Sequence, residues 1–324
     1  MTTTGGRSSD YCHLCGRACL PKRQEGQTGY CGAGTLVGFS NALLHLGEEP
    51  PLSGGGELPG GSGTIFFTRC VLRCVFCQNW QISQSRSGRD ITVGELADLM
   101  LLLQEQGAFN INLVSPTPYV VEIAHALDQA KKRGLNLPVI YNTGGYDSLT
   151  ALKILDGLVD IYLPDLKIAS PADKGPDEPD SLAARLLGVG DYPKVNRKAL
   201  IEMHRQVGPL KMDINGLATR GFLVRHLVLP DNLARTTEAL PWLSDTFGPT
   251  VCLSLMAQYH PTHLVKSNPE EFRAFPGLSR GLSMREYESS MELAWKCGLV
   301  NSFVQDLESA ANYLPDFDKP KVFN

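Results

Sequence analysis

Cys70, Cys74 and Cys77 stand in the spacing Cys-x-x-x-Cys-x-x-Cys. Thiolates this close in the chain are suited to share a metal, and soft sulfur ligands select zinc, copper(I) or iron–sulfur clusters. Three is the informative number. A closed structural site has four protein ligands, and three leave one position open. On a cubane held by three thiolates, that position is one iron free to bind a small molecule. A second set, Cys12, Cys15, Cys19 and Cys31, lies within twenty residues and is punctuated by Gly and Pro. Its spacing is neither the paired pattern of a zinc ribbon nor a ferredoxin run, so zinc and a second iron–sulfur cluster both stay open. Unliganded thiols are the bland alternative, but a short segment with little apolar content needs a staple to order. His13, inside this loop, reads as a solvated side chain.

Positioning the first set requires a strand and a loop. Ile65, Phe66 and Phe67 just before Cys70 are β-branched and aromatic, as a buried strand requires. Similar runs recur at Asn110–Val114, Pro138–Asn142, Asp160–Leu166, Phe222–Leu229 and Val251–Met256, the first being Thr64–Thr68. Helical patterns fall between most of them. Val93–Gln106 places Leu96, Leu99, Leu102 and Leu103 on one face, and Tyr119–Arg133 places Ile123, Ala126, Leu127 and Ala130. Alternation of strand and helix predicts a parallel sheet with right-handed crossovers, and six units predict an α/β fold, a partial (β/α)6 barrel.

In such sheets chemistry sits at the C-terminal ends of strands. The second strand ends in Ser115-Pro116-Thr117-Pro118, and its prolines alone could stop it. The third ends in Asn142-Thr143-Gly144-Gly145, an adequate turn. In the fourth, Asp165 and Lys167 are two apart and share a face. An unpaired charge inside a barrel is costly, whereas a pair beside a carboxylate ligand is reasonable; an internal salt bridge at the rim is the structural alternative. In the fifth, Arg225 and His226 face opposite sides, and the pattern does not say which sees the cavity. The sixth ends at Gln258-Tyr259-His260-Pro261.

The chain has 324 residues, 43% hydrophobic and 20% charged, with net charge −4. That is one barrel plus an appendage, with no electrostatic footprint for nucleic acid. No apolar run reaches the length of a membrane span, residues 1–10 lack the regions of a signal peptide and read as frayed, and nine cysteines without a secretory signal suggest a reducing cytoplasm. The division expected is 1–60, a cysteine-rich module and Gly-rich approach; 61–265, the (β/α)6 core; and 266–324, an extension with a helix at Met284–Cys297. Glu48 and Glu49 lie in the approach and read equally as linker or as close to a cofactor. The run Pro171–Asp180 reads as a solvated loop, Trp80 as core or cluster cover, and Cys252 and Cys297 as buried small hydrophobes.

With Phe76 as the aromatic before the third cysteine, this motif after the first barrel strand resembles that of radical S-adenosylmethionine (SAM) enzymes. The resemblance implies a 4Fe-4S cluster on Cys70, Cys74 and Cys77 that binds SAM and cleaves it to a 5′-deoxyadenosyl radical, which abstracts hydrogen from a substrate. Further runs, Gly47-Glu48-Glu49-Pro50, Gly61-Ser62-Gly63-Thr64-Ile65-Phe66-Phe67, Cys77-Gln78-Asn79, Asp165-Leu166-Lys167 and Arg225-His226-Leu227-Val228-Leu229-Pro230, are similar to the PflX family, relatives of pyruvate formate-lyase activating enzyme. Gly16 departs from that family, which usually has proline there. In the activating enzymes the lysine of Asp-Leu-Lys meets the SAM carboxylate, and Asn142 takes the place of an acid near SAM. Arg225 lies in the strand resembling their Arg-aromatic-Val-Val-Pro. The usual Gly-Gly-Glu after the second strand is absent. Gly55-Gly56-Glu57 precedes the first strand and is rejected, leaving the hydroxyls of Ser115 and Thr117 as substitutes.

The resemblance also implies an electron donor such as flavodoxin or ferredoxin, and a substrate that is unknown. Activation of a glycyl-radical enzyme is one expectation, and modification of another protein, peptide or small molecule is its rival. An iron–sulfur electron carrier and a zinc-stapled binding module are readings of another class.

Overall fold

The computed structural model describes residues 11–171, 178–305, 307, 315–319 and 322–323. The frayed segment expected at 1–10 and most of the loop expected at 171–180 lie outside them.

The strands are β1 (Val37–His45), β2 (Gly61–Phe67), β3 (Arg89–Ile91), β4 (Ala108–Val114), β5 (Val139–Thr143), β6 (Ile161–Pro164), β7 (Lys211–Met212), β8 (Ala218–Leu227), β9 (Cys252–Met256) and β10 (Ser302–Val304). Nine form one path in the order β10-β9-β8-β6-β5-β4-β2-β1-β3, with β7 paired to β8. The six strands expected from the sequence are β2, β4, β5, β6, β8 and β9, and every neighbouring pair among them is parallel. This is the mostly parallel α/β sheet of a partial barrel.

The sheet has additions that periodicity did not reveal. β1 lies antiparallel on β2, and β3 lies antiparallel on β1. β10 adds in parallel beyond β9. Residues 37–45, within the segment read as module and approach, are thus part of the sheet. Their Gly-Phe-Ser-Asn sequence lacks the alternation of a half-buried strand, and all seven residues of the partner β2 are buried.

The helices are α1 (Pro50–Ser53), α2 (Trp80–Ser83), α3 (Val93–Glu105), α4 (Val120–Lys132), α5 (Leu149–Leu155), α6 (Ser181–Leu187), α7 (Tyr192–Val207), α8 (Thr236–Phe247), α9 (His263–Ser267) and α10 (Met284–Lys296). Thr92 and Glu95 close a capping box at the start of α3, a device worth about 1 kcal/mol. The apolar face of α4 is as expected, with Ile123, Ala126, Leu127 and Ala130 buried. On α3 the face is rotated. Leu96, Ala97, Met100 and Leu103 are buried while Leu102 is 47% exposed. The four leucines span too wide an arc for one contact stripe, and Ala97 and Met100 complete the buried side.

Inside the barrel the side chains form layers. Leu52 of α1 plugs one end, packed among Ile140, Ile161, Leu163, Leu223 and Cys252. Above that plug, polar and charged side chains replace apolar ones, and the cavity begins.

Candidate functional site

The loop after β2 is fixed from outside the barrel. Arg73 N donates to Leu187 O at 2.9 Å and Val75 N to Leu186 O at 3.0 Å, so the end of α6 templates the loop between the cysteines. Gln84 Nε2 donates to Cys74 O at 3.1 Å, and Ser83 Oγ lies 3.3 Å from Cys77 Sγ. Phe76 packs edge-on to Tyr259 with ring centroids 6.0 Å apart. The loop is thus held by contacts with several separate elements.

Cys70, Cys74 and Cys77 all line one cavity of about 500 Å³. Burial raises all three thiols, pushing Cys70 up to about 11, while the Lys167 charge pulls each the other way. Three buried thiols become thiolates only against strong positive charge, which metal ions supply. This donor set suits a multi-iron cluster, in which each thiolate binds its own iron. Among the described residues no three His, Cys, Asp or Glu side chains converge on a single-ion position.

The cavity also holds Phe76, Ser115, Asn142, Asp165, Lys167 and Arg225. The strand ends assemble them: β4 gives Ser115, β5 gives Asn142, and β6 gives Asp165 and Lys167. Lys167 Nζ donates to Asp165 Oδ2 at 2.6 Å. Burial opposes the Lys167 charge, but Asp165 outweighs it and raises the ammonium above its ordinary value. Gly144 sits close beneath: a Cβ there would lie 3.1 Å from Leu72 and 3.5 Å from the Lys167 stem. Ser115 takes a left-handed φ of 59° as its N–H donates to Asn142 O at 2.9 Å.

Thr117 is placed elsewhere. Its Oγ1 donates to Asp147 Oδ1 at 2.8 Å, and the same carboxylate accepts from Tyr141 at 2.8 Å and Thr143 at 2.6 Å. Thr117 is 3% exposed and outside the cavity lining. The two hydroxyls of Ser115 and Thr117 therefore do not form a pair toward one ligand, because the turn after β4 aims only the first inward. The Arg225–His226 ambiguity resolves cleanly. Arg225 faces the cavity, whereas His226 is fully buried, with Nδ1 2.7 Å from Leu166 O and Nε2 2.9 Å from Thr236 Oγ1. Burial drives His226 down to about 4. Arg225 is engaged on Nε and Nη2 by Glu48 and Glu49, which leaves Nη1 without a partner among the described residues.

Glu48 and Glu49 are therefore site residues, not linker. The one sequence signal was two adjacent acids ahead of a proline in a Gly-rich run. A covering segment also escaped sequence reading. Pro315 and Phe323 line the cavity, and Phe317 and Phe323 pack on Phe66 at 5.3 and 5.9 Å between centroids. Gln81 fastens the segment, donating to Asp318 Oδ2 at 2.6 Å and accepting from Phe317 N at 3.1 Å.

The other cysteine set lies against the outer side of the same end. The backbone of Cys15 pairs with that of Asp147 in an isolated antiparallel β-bridge, Gly16 N donates to Tyr146 O at 3.3 Å, and Arg17 Nη2 donates to Gly188 O at 3.1 Å. Arg17 stacks on Tyr30 at 3.4 Å. A Cβ at Gly16 would lie 2.7 Å from the Tyr146 ring, which explains glycine where a proline was expected. Burial, with a smaller push from the other three thiols of the set, raises Cys15 to about 12.

The mostly parallel sheet thus carries three thiols over the end of its first barrel strand, facing strand-end polar groups across one cavity. Residues 64–212 match the family model of the radical SAM superfamily. The chain is 30% identical over 299 residues to the uncharacterized protein MJ0674 of Methanocaldococcus jannaschii, covering 89% of this chain and 75% of that one. Residues 64–212 thus form a domain of the radical SAM superfamily, a family that implies a 4Fe-4S cluster and SAM as cofactors and generally needs a reductant and a substrate. Among solved structures the chain resembles HydG, described as a maturase of the [FeFe]-hydrogenase, with TM-score 0.45 and 14% identity over 73% of this chain. HydG from Carboxydothermus hydrogenoformans gives TM-score 0.46 and 11% identity over 73%. The chain spans about half the length of each, 48% and 50%. Among the described residues no helix is long and apolar enough to cross a membrane.

Proposed function

We propose that Cys70, Cys74 and Cys77 hold the 4Fe-4S cluster and that the groups around the cavity hold SAM against it. When bound, the pair supplies a 5′-deoxyadenosyl radical after one-electron reduction, chemistry no side chain performs. The chain's own groups do the rest. Lys167, steadied by Asp165, takes a carboxylate; Asn142 and Ser115 offer hydrogen bonds; Phe76 walls the cluster side. Phe317 and Phe323 keep water from the reacting end. The observation that carries this reading is the meeting of all three thiols with Asp165–Lys167 in one cavity.

For Cys12, Cys15, Cys19 and Cys31 we propose a metal-stapled module, zinc or a second iron–sulfur cluster. The PflX-like runs support hydrogen abstraction from a glycyl-radical enzyme as one outcome. Modification of a small molecule or peptide is the second reading. It is favoured by Pro315 and Phe323, which line the cavity and take up room that a large partner would need. The electron donor would be a flavodoxin or ferredoxin.

The test is formation of 5′-deoxyadenosine by the anaerobically reconstituted protein with SAM and dithionite. Product above a no-protein control supports the reading. Full activity in Cys74→Ala sinks the cluster assignment.

A further inference from the structure

The chain passes from β2 into the cysteine loop through a single residue with an unusual backbone. Arg69 stands immediately before Cys70 and has a φ of 71°. Glycine enters this left-handed region freely, whereas a residue with a Cβ enters it at a cost. The hydrogen bonds show what the turn does. Thr68 N still donates to Gly38 O of β1 at 2.9 Å, but Arg69 N donates to Ile82 O of α2 at 2.9 Å. The chain has left the sheet within one residue, and Cys70 takes its direction from that step.

A second observation is the clamp on the Arg69 side chain. Its Nη1 donates to Asp90 Oδ1 at 2.8 Å and to the Tyr119 hydroxyl at 3.1 Å, and lies 3.3 Å from Thr68 Oγ1. Tyr119 is fully buried, and its hydroxyl donates in turn to Thr68 O at 3.2 Å. Gly38 makes room: a Cβ there would strike Arg69 Nη1 and the hydroxyls of Thr68 and Tyr119. Asp90 of β3 is the register partner of Gly38, so the acid and the gap lie side by side. A strained residue persists when its surroundings over-determine it, and these do. The strands β1 and β3, additions to the six parallel strands, supply the gap and the acid. The contacts that Gln84 and Ser83 make to Cys74 and Cys77 do not involve this clamp.

We propose that Arg69 is a positioning residue for Cys70. Its left-handed turn directs the first of the three thiols to the cavity, and the clamp on Asp90 and Tyr119 holds a residue with a Cβ in that turn. The proposal rests on the reading of Cys70 as a cluster ligand, but the turn is built by the chain alone and forms without iron. Two consequences separate this role from a general part in folding. The cost falls on the Cβ, so Arg69→Gly keeps the turn, while Arg69→Ala, which loses the clamp and keeps the Cβ, gives it up. Asp90 matters only while residue 69 has a Cβ, so Asp90→Ala has no effect on Cys70 once Arg69→Gly is present.

The test is the rate at which each cysteine of the full, metal-free, reduced chain is alkylated by iodoacetamide, read site by site by mass spectrometry. Arg69→Ala should label Cys70 about fivefold faster or more, with Cys74 and Cys77 unchanged, and Arg69→Gly should stay within about twofold of the unaltered protein. Asp90→Ala serves if Arg69→Ala does not fold: it should speed Cys70 labelling in the unaltered chain and leave it unchanged in the Arg69→Gly chain. Equal Cys70 rates in the Ala and Gly variants, or a rise shared by all three cysteines, overturns the proposal. After anaerobic reconstitution, iron per chain should fall in Arg69→Ala and hold in Arg69→Gly. If the labelling changes as expected and the iron does not, the turn stands and the reading of Cys70 as a ligand fails, which a Cys70→Ala protein with undiminished iron would then show.

Discussion

Two sets of cysteines lie at the same end of this barrel, and their surroundings differ. Cys70, Cys74 and Cys77 share a cavity with an ion pair, an amide and a hydroxyl. Cys12, Cys15, Cys19 and Cys31 face none of these groups. They are near one another, with Cys19 exposed, and their neighbours are backbone and stacked side chains such as Arg17 on Tyr30. Spacing suggests metal for both sets, but only the first opens onto space where another molecule could be held. The lesson is that ligand number and ligand surroundings are separate evidence, and the second decides between chemistry and scaffolding.

The largest effect that sharpens this contrast is on cleavage. Cys74→Ala should reduce 5′-deoxyadenosine to the no-protein background, whereas Cys12→Ser should retain dithionite-driven cleavage and lower the melting temperature by about 2–8 °C. Equal loss of cleavage in the two variants breaks the contrast.

Next in size is the ion pair at the cavity. Lys167→Met should weaken SAM binding about 10- to 100-fold, the worth of a charged hydrogen bond, measured by equilibrium dialysis of the reconstituted protein. Unchanged affinity would detach Asp165–Lys167 from the cofactor.

A third test concerns acid stability. Burial raises the Glu48 carboxyl, but Arg225 and His45 more than offset this and lower it from 4.5 to about 2. Its folded-state value lies below its unfolded one, so its stabilising contribution is present above pH 4.5 and is lost as pH falls toward 2. Glu48→Gln should flatten that acid limb of a melting-temperature profile. A limb of unchanged slope would mean that other carboxylates carry it.

The smallest effect is expected at His226. It sits in the same strand as Arg225 but bonds outward to Leu166 and Thr236. His226→Gln should leave SAM cleavage unchanged in the same assay while costing some stability.

The six parallel strands were legible because each is a short apolar run between helical patterns, and the three-cysteine motif because its residue types are rare and its spacing tight. What the sequence hid was long-range. β1 is recognisable only through its antiparallel partner 61–67. Glu48 and Glu49 acquire meaning from Arg225, nearly two hundred residues away. Thr117 and Ser115 look equivalent in a Ser-Pro-Thr-Pro string, and only the turn separates them. Leu102 shows a local limit: counting leucines does not fix the contact face when Ala and Met complete it.

The loop that carries Cys70, Cys74 and Cys77 takes its shape from Leu186 and Leu187. During synthesis the thiols leave the ribosome more than a hundred residues before that template exists. At roughly 5–20 residues per second they wait for seconds without their fixed loop. On the proposed cluster assignment, delivery has a natural order. Iron supplied before α6 is made meets three loosely tethered thiols, and iron supplied afterwards meets a formed loop at the end of the parallel strands.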